Sequence, residues 1–269
     1  MSGQSRTTPP AAMTIDIAAP VNEHDVLAYC LQRSPDLVDG GARLRTYEGF
    51  PSAGAALNRA LEESEAEVVV LVHQDVYLPR GFLGRLSASL ARLSAIDPDW
   101  AVVGAIGIDA GSVLHGRTWS SGLKRLIGDV VDQPTPIESL DELMLVVRRA
   151  SGVRFDEGLP GFHLYGTDIV QLAKAKGLKS YVVDSPVIHH SRPVVDLSGG
   201  YFNAYGYLQR KWREVLPVPN LICPIQPSGL KLRWLNLRIR MKYRGRKQRV
   251  DPTGDPVAIA RRLGLEDAA

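Results

Sequence analysis

Three polar groups stand where this 269-residue chain stops being apolar: His73-Gln74-Asp75, Asp168, and His189-His190. Carboxylates and imidazoles are the side chains that take up protons and hold divalent cations. Singly, each has a plain structural reading. Asp75 can be a turn residue, Asp168 a first-turn carboxylate favoured by a helix dipole, and the histidines ordinary polar residues after a strand. Their joint placement carries more. Val68-Val69-Val70-Leu71-Val72 is apolar at every position, the pattern of a strand buried on both faces in a helix-covered parallel sheet. In open α/β sheets, ligands bind outside the carboxyl ends of such strands. Strand-end residues of one sheet therefore converge on one crevice.

The surrounding pattern predicts the elements that would position them. Thr14 to Ala19 reads as a first strand ended by Pro20, and Asn22 as the N-cap of a helix through Leu31. A short strand follows at Leu44 to Tyr47. Ser52 then caps a helix whose Ala53, Ala56, Leu57, Ala60 and Leu61 repeat at helical spacing. After the buried strand, Pro79 suits a first helical position, and Phe82, Leu83, Leu86, Leu90 and Leu93 make an amphipathic helix. Ala101 to Ile106 is another apolar strand. This β-α-β-α-β-α-β order predicts a mostly parallel sheet flanked by helices. Residues 107–136 form a Gly- and Ser-rich stretch with short strands near Thr118 and Ile127. Leu143 to Val147 and Tyr181 to Val183 are further strands, and a helix from Tyr201 to Val215 closes the body before Pro217 and Pro219.

Composition narrows the class. Hydrophobic residues make up 45% and charged residues 23%, as in ordinary globular proteins. No window holds about 18 consecutive apolar residues, so no transmembrane helix is expected. Residues 1–12 read as a disordered leader without the apolar core of a secretory signal. Cys30 and Cys223 lie far apart, outside any metal-binding spacing, and read as buried apolar residues of a reducing compartment. A cytoplasmic location is the expectation. The net charge of +3 conceals an asymmetry: Lys231 to Arg249 holds nine Lys or Arg and no Asp or Glu, leaving a mildly acidic body.

Six short stretches, in order, carry a family likeness. They are Pro20-Val21-Asn22; Ser52-Ala53-Gly54 with Asn58; His73-Gln74-Asp75-Val76; Phe155-Asp156-Glu157 with Gly161-Phe162-His163-Leu164-Tyr165-Gly166-Thr167-Asp168; Val187-Ile188-His189-His190-Ser191; and Lys211-Trp212. Over residues 14–216 the chain resembles the nucleotide-sugar-dependent glycosyltransferases of the GT-A fold, family 2 in particular. The resemblance implies a Rossmann-like GT-A domain at 13–219, followed by a basic C-terminal extension at 220–269. It implies inverting transfer from a UDP-, GDP- or dTDP-linked sugar to a glycan or lipid-linked acceptor. A divalent cation, Mn²⁺ or Mg²⁺, would neutralise the departing diphosphate.

Residue by residue, the resemblance makes Asp75 the steadiest metal ligand of an Asp-x-Asp motif whose first position is here His73. His189 matches the second ligand, with His190 as the alternative. Asp168 matches the catalytic base, while Thr167 stands where the family carries a second acid. Phe162, His163 and Tyr165 would line the acceptor or sugar pocket. Pro20, Asn22, Gly54 and Asn58, with His73 and Gln74, fall on the nucleotide side. Glu48 is the available substitute for an Asp that reads uracil. Asp141 and Glu142 either approach the donor sugar or form a solvated turn.

The tail interleaves Leu232, Trp234, Leu235, Leu237, Ile239, Met241 and Tyr243 with cations. That mixture suits an anionic membrane surface, or the phosphates of a lipid-linked acceptor, reached peripherally from the inner face. The body offers no nucleic-acid module, so nucleic acid is not an expected partner. The rival to an enzyme is a non-catalytic GT-A-like domain that binds nucleotide or glycan, suggested by the loss of one Asp from the metal motif.

Overall fold

A computed structural model describes residues 13–244 and 254–266. The expected leader at 1–12 and residues 245–253, which include the end of the basic segment, lie outside the described residues. From the N-terminal side, β1 (Ile15–Pro20), α1 (His24–Tyr29), α2 (Pro35–Val38), β2 (Leu44–Tyr47), α3 (Ala53–Glu63) and β3 (Val68–Val72) alternate as predicted. Next come β4 (Val76–Tyr77), α4 (Phe82–Ile96), β5 (Val102–Gly104), β6 (Ile106–Ile108), β7 (Leu114–Ser120) and β8 (Arg125–Gly128). The rest are β9 (Thr135–Pro136), β10 (Ser139–Leu140), β11 (Met144–Arg148), α5 (Tyr165–Ala175), β12 (Ser180–Val182), β13 (Val187–His189), α6 (Gly200–Lys211), α7 (Leu230–Lys242) and α8 (Pro256–Arg262).

The main sheet runs β2-β1-β3-β11-β5-β12-β9. β1, β2 and β3 are parallel, as are β5 and β12. β11 is inserted antiparallel between β3 and β5, and β9 runs antiparallel to β12 at the edge, so the expected helix-flanked sheet is present but mixed, with reversed strands near its centre and at one edge. The alternation of β3 explains its all-apolar sequence. Val69 and Leu71 pack into one core with α3, α5 and α6, whereas Val68, Val70 and Val72 pack into another with Leu86, Leu90 and Leu93 of α4.

A second sheet, β10-β6-β7-β13-β4 with β8 on β7, was not legible as such. The stretch read as one strand at 101–106 divides at Ala105, β5 staying in the main sheet while β6 enters the second. Close backbone approach enforces the switch. At Gly116, with φ +87°, a Cβ would lie 2.0 Å from the Ala105 carbonyl oxygen, so only glycine fits.

Helix starts differ from the sequence reading in two places. The first helix begins at His24 rather than after Asn22, and α4 begins at Phe82 behind Gly81 in a left-handed conformation, not at Pro79. Ser52 does cap α3, its Oγ accepting the Ala55 N–H at 3.4 Å. The chain beyond Pro219 folds back on the body. α7 lays Leu232, Leu235 and Ile239 on the core, and Ile259 and Ala260 of α8 meet Tyr77 and Ile188.

Two residues expected at the nucleotide turn out to hold the fold. Gly54 sits where a Cβ would lie 2.6 Å from the Asp156 carbonyl oxygen. Asn58, buried, donates to Phe155 O and Glu157 Oε1 and accepts the Phe155 N–H at 2.9 Å. Both therefore clamp the loop before α5, and the correction follows from their partners. Asn58→Ala leaves the Phe155 amide group buried and unpaired, which costs on the order of 2–4 kcal/mol. Urea denaturation should show that loss with nucleotide affinity retained; unchanged stability with lost nucleotide binding would return Asn58 to the ligand.

Candidate active site

The pairing of β4 with β13 builds the site. It carries the polar end of β3 to the end of β13, and the His190 N–H donates to the Asp75 carbonyl at 2.8 Å. The Asp75 side chain then lies between two imidazoles: Oδ2 is 3.3 Å from His189 Nε2, and Oδ1 is 3.9 Å from His73 Nδ1. One ligand atom from each of the three falls within 4.8 Å of the others. His73, placed on the nucleotide side by the sequence reading, thus lies beside Asp75 and His189, where it could offer a third ligand atom. His190 lies outside this cluster, its ring against Tyr29 at 5.3 Å.

A relay orients His73. The Tyr165 hydroxyl donates to the Glu142 carbonyl at 3.3 Å, and His73 Nε2 lies 2.7 Å from the same hydroxyl. A hydroxyl that donates to a carbonyl accepts from the imidazole, so Nε2 carries the proton and the Nδ1 lone pair faces Asp75. Such outer hydrogen bonds fix the tautomer of a metal-binding histidine.

The charges divide unevenly across the cluster. Burial pushes the Asp75 carboxyl up, but the neighbouring His189 and His73 outweigh it and hold Asp75 well below the usual carboxylate range. Burial opposes charge on His189, yet the Asp75 carboxylate prevails and raises its pKa. His73 is held below its ordinary value, chiefly by burial. In the metal-free cluster the Asp75 carboxylate thus favours a proton on His189 over one on His73. Two imidazoles and a carboxylate fit a divalent transition ion such as Mn²⁺ better than Mg²⁺, which prefers all-oxygen sites.

Two clefts meet at Asp75. One, of about 440 Å³, is lined by Pro20, Asn22, Tyr47, Phe50, Phe162 and Tyr165 along with His73, Gln74 and Asp75. The other, of about 490 Å³, shares Glu23, Gln74 and Asp75 and adds Asp25, Tyr29, His190 and Arg192. Gln74 builds the wall between them. Its Oε1 accepts the N–H groups of Asn22 and Glu23, each at 3.0 Å, and its Nε2 donates to Asn22 Oδ1. Gln74 and Asn22 thus brace each other while bordering the cleft. Tyr47 and Phe50, with ring centroids 6.2 Å apart, went unnoticed in the sequence; the signal was that Tyr47 ends a strand parallel to β1. Glu48 is instead paired with His24 at 3.3 Å near the surface. His163 packs edge-on against Tyr201 at 5.8 Å rather than lining either cleft.

Asp168 departs most from expectation. It occupies the first turn of α5 but is 1% exposed and borders neither cleft. Its Oδ2 accepts from Lys211 Nζ at 2.8 Å and its Oδ1 from Trp212 Nε1 at 2.7 Å. Lys211 also bonds Asp156 Oδ2 at 2.6 Å. Burial raises the Asp168 pKa despite those donors. The open seat at an acceptor hydroxyl is therefore closed in this state, because an ion pair ties α5 to the end of α6. Glu142 is not a solvated turn either. It receives the N–H groups of Leu164 and Gly166, while burial, followed by the Asp141 charge, pushes its pKa up to about 8.

Fold and site together define a mixed α/β chain with a His-Asp-His cluster at the meeting of two clefts. No family model matches it. The ATP synthase subunits region ORF 6 protein of Fuscovulum blasticum is 28% identical over 185 residues, 66% of this chain and 72% of that one. The chain is also similar to the crystal structure of GalNAc-T7 with UDP, GalNAc and Mn²⁺, at 11% identity and a TM-score of 0.46. That match covers 87% of this chain and 55% of the other, so the chain spans little more than half that structure's length. The mannosyltransferase PcManGT from Pyrobaculum calidifontis, in complex with GDP-Man and Mn²⁺, is 12% identical with a TM-score of 0.47, over 98% of this chain and 83% of that one.

Two pH dependences follow. A divalent cation must displace the proton that Asp75 holds on His189, so Mn²⁺ affinity falls as pH drops below the raised His189 value and levels off above it. Calorimetric titration should show about a tenfold loss per pH unit on the acidic limb; pH-independent binding would contradict it. The folded state prefers protonated Glu142, because its pKa rises from 4.5 to about 8. That contribution is complete below about pH 4.5 and is lost as pH rises through about 8. Glu142→Gln keeps the neutral form, so in metal-free buffer its Tm should equal that of the wild type near pH 4.5 and exceed it increasingly toward pH 9.

Proposed function

We propose that the chain is a GT-A-type glycosyltransferase that moves a sugar from a nucleotide-sugar donor to a glycan or lipid-linked acceptor with inversion at the anomeric carbon. The observation that carries this reading is the His73–Asp75–His189 cluster at the junction of an aromatic-walled cleft with a second, polar one. Tyr47, Phe50 and Phe162 offer faces on which a nucleobase stacks. A donor lying in that cleft with its diphosphate toward Asp75 would direct the sugar to the junction. A divalent cation held by His73, Asp75 and His189 would supply Lewis-acid neutralisation of the departing diphosphate.

In this reaction the acceptor oxygen attacks the anomeric carbon as the bond to the diphosphate breaks, and the acceptor proton passes to a carboxylate. The proposal assigns that proton to Asp168. Lys211 bridges Asp156 and Asp168, so it can remain on Asp156 while Asp168 Oδ2 turns to an acceptor hydroxyl. The raised pKa that burial gives Asp168 strengthens it as a base.

The closed state of Asp168 favours a second reading, a binding module that holds nucleotide or glycan without turnover. Mn²⁺-dependent turnover of UDP-, GDP- and dTDP-sugars separates the two. The transferase reading expects Asp75→Ala to lose donor binding in Mn²⁺. It expects Asp168→Asn to keep donor binding in the folded protein while kcat falls by roughly 10²–10⁴-fold, whatever Tm is lost with the Lys211 pair. If wild type and both variants share one background rate while the wild type still binds donor, the module reading stands.

A further inference from the structure

Helix α7 has two apolar faces, and only one of them is used by the fold. Leu232, Asn236, Leu235 and Ile239 point inward, Leu232 and Asn236 being buried and the other two packed on the core. Asn236 Oδ1 accepts the Leu197 N–H at 2.8 Å, which fixes the rotation of the helix about its axis. At about 100° per residue, Leu230, Trp234, Leu237 and Met241 then fall within an arc of roughly 60° directly opposite that inner face. They are 72%, 57%, 55% and 59% exposed. Large apolar side chains aligned at such exposure are unusual on a soluble surface and mark a binding face.

What flanks the stripe identifies its occupant. Lys231, Arg238 and Lys242 fall along one side of it and Arg233 and Arg240 along the other, with Arg244 in the turn just past the helix end, all exposed. The whole span from Lys231 to Arg249 contains no acidic residue. Arg238 lies over the Trp234 ring at 4.6 Å, keeping cation and ring at the same level of the surface. An apolar strip bordered on both sides by cations is the arrangement of a helix lying in a membrane interface, with its strip in the acyl boundary and its cations among anionic headgroups. Among the described residues, no helix is long and apolar enough to cross a membrane. A second copy of this chain would bring six cations against six, which the charge disfavours.

We propose that α7 docks the protein in plane on an anionic lipid surface, through Leu230, Trp234, Leu237 and Met241 with the flanking cations. The inward face keeps the helix on the body while the outward face is engaged, so docking needs no unfolding. The proposal does not depend on the sugar-transfer reading. Its test is co-sedimentation of the full chain with phosphatidylcholine vesicles with and without phosphatidylglycerol, at low and high salt. Wild type should pellet only with the anionic vesicles, and less at high salt. Trp234→Ser/Leu237→Ser/Met241→Ser, and separately Arg238→Glu/Lys242→Glu, should each weaken binding by roughly tenfold or more with Tm unchanged. Failure of the wild type to bind anionic vesicles would overturn the proposal. So would a wild-type dimer, in sedimentation equilibrium without lipid, that the serine variant dissociates.

Discussion

A carboxylate held between two imidazoles at the seam of two sheets is the constraint on which the rest of this structure depends. Asp75 stands just past the end of β3, in the main sheet, and His189 ends β13, in the second. Asp75 is only half-buried, with its side chain 26% exposed, and the short β4–β13 pairing is what brings it against His189. The arrangement is poised for exchange. The proton that the carboxylate stabilises on His189 is the one that a divalent cation would displace, and His73 adds a neutral nitrogen already turned inward.

Around that seam, several polar side chains serve position before chemistry. Gln74 ties β3 to the loop after β1, so the floor of the aromatic-walled cleft is braced against the His-Asp-His cluster. Tyr165 links His73 to the backbone at Glu142 and also lines the cleft, coupling the start of α5 to the same point. Lys211, shared by Asp156 and Asp168, ties α6 to α5 and to the loop that Asn58 holds. The result is one connected polar scaffold from β1 to α6.

Much of this was legible in the sequence, for identifiable reasons. The all-apolar run before His73 reads as a strand covered on both faces, which puts Asp75 at a crevice, whereas His189, expected there as an end of the same sheet, reaches it from the second sheet through the β4–β13 pairing. The second sheet could not be seen. Its β4 and β10 are two residues long and β6 three, too short for any periodicity to register. Nor could the reversal of β11, because a doubly buried strand reads the same in either direction. The partners that brace Gln74 and Asn58 lie 52 and 97 residues away, so their structural role could not be read from the sequence. Asp168 was placed correctly on its helix but not in its surroundings, since Lys211 and Trp212 reach it from a different helix.

The proposed function requires both His73 and His189 to join Asp75 around one divalent cation at the donor diphosphate. Pulsed electron paramagnetic resonance of the Mn²⁺-loaded protein with UDP reads this directly. Couplings to two directly bound imidazole nitrogens, one lost in His73→Ala and the other in His189→Ala, together with phosphorus coupling from UDP, are the predicted result. Bound Mn²⁺ with no nitrogen coupling, or with nitrogen coupling but none to phosphorus, would contradict it.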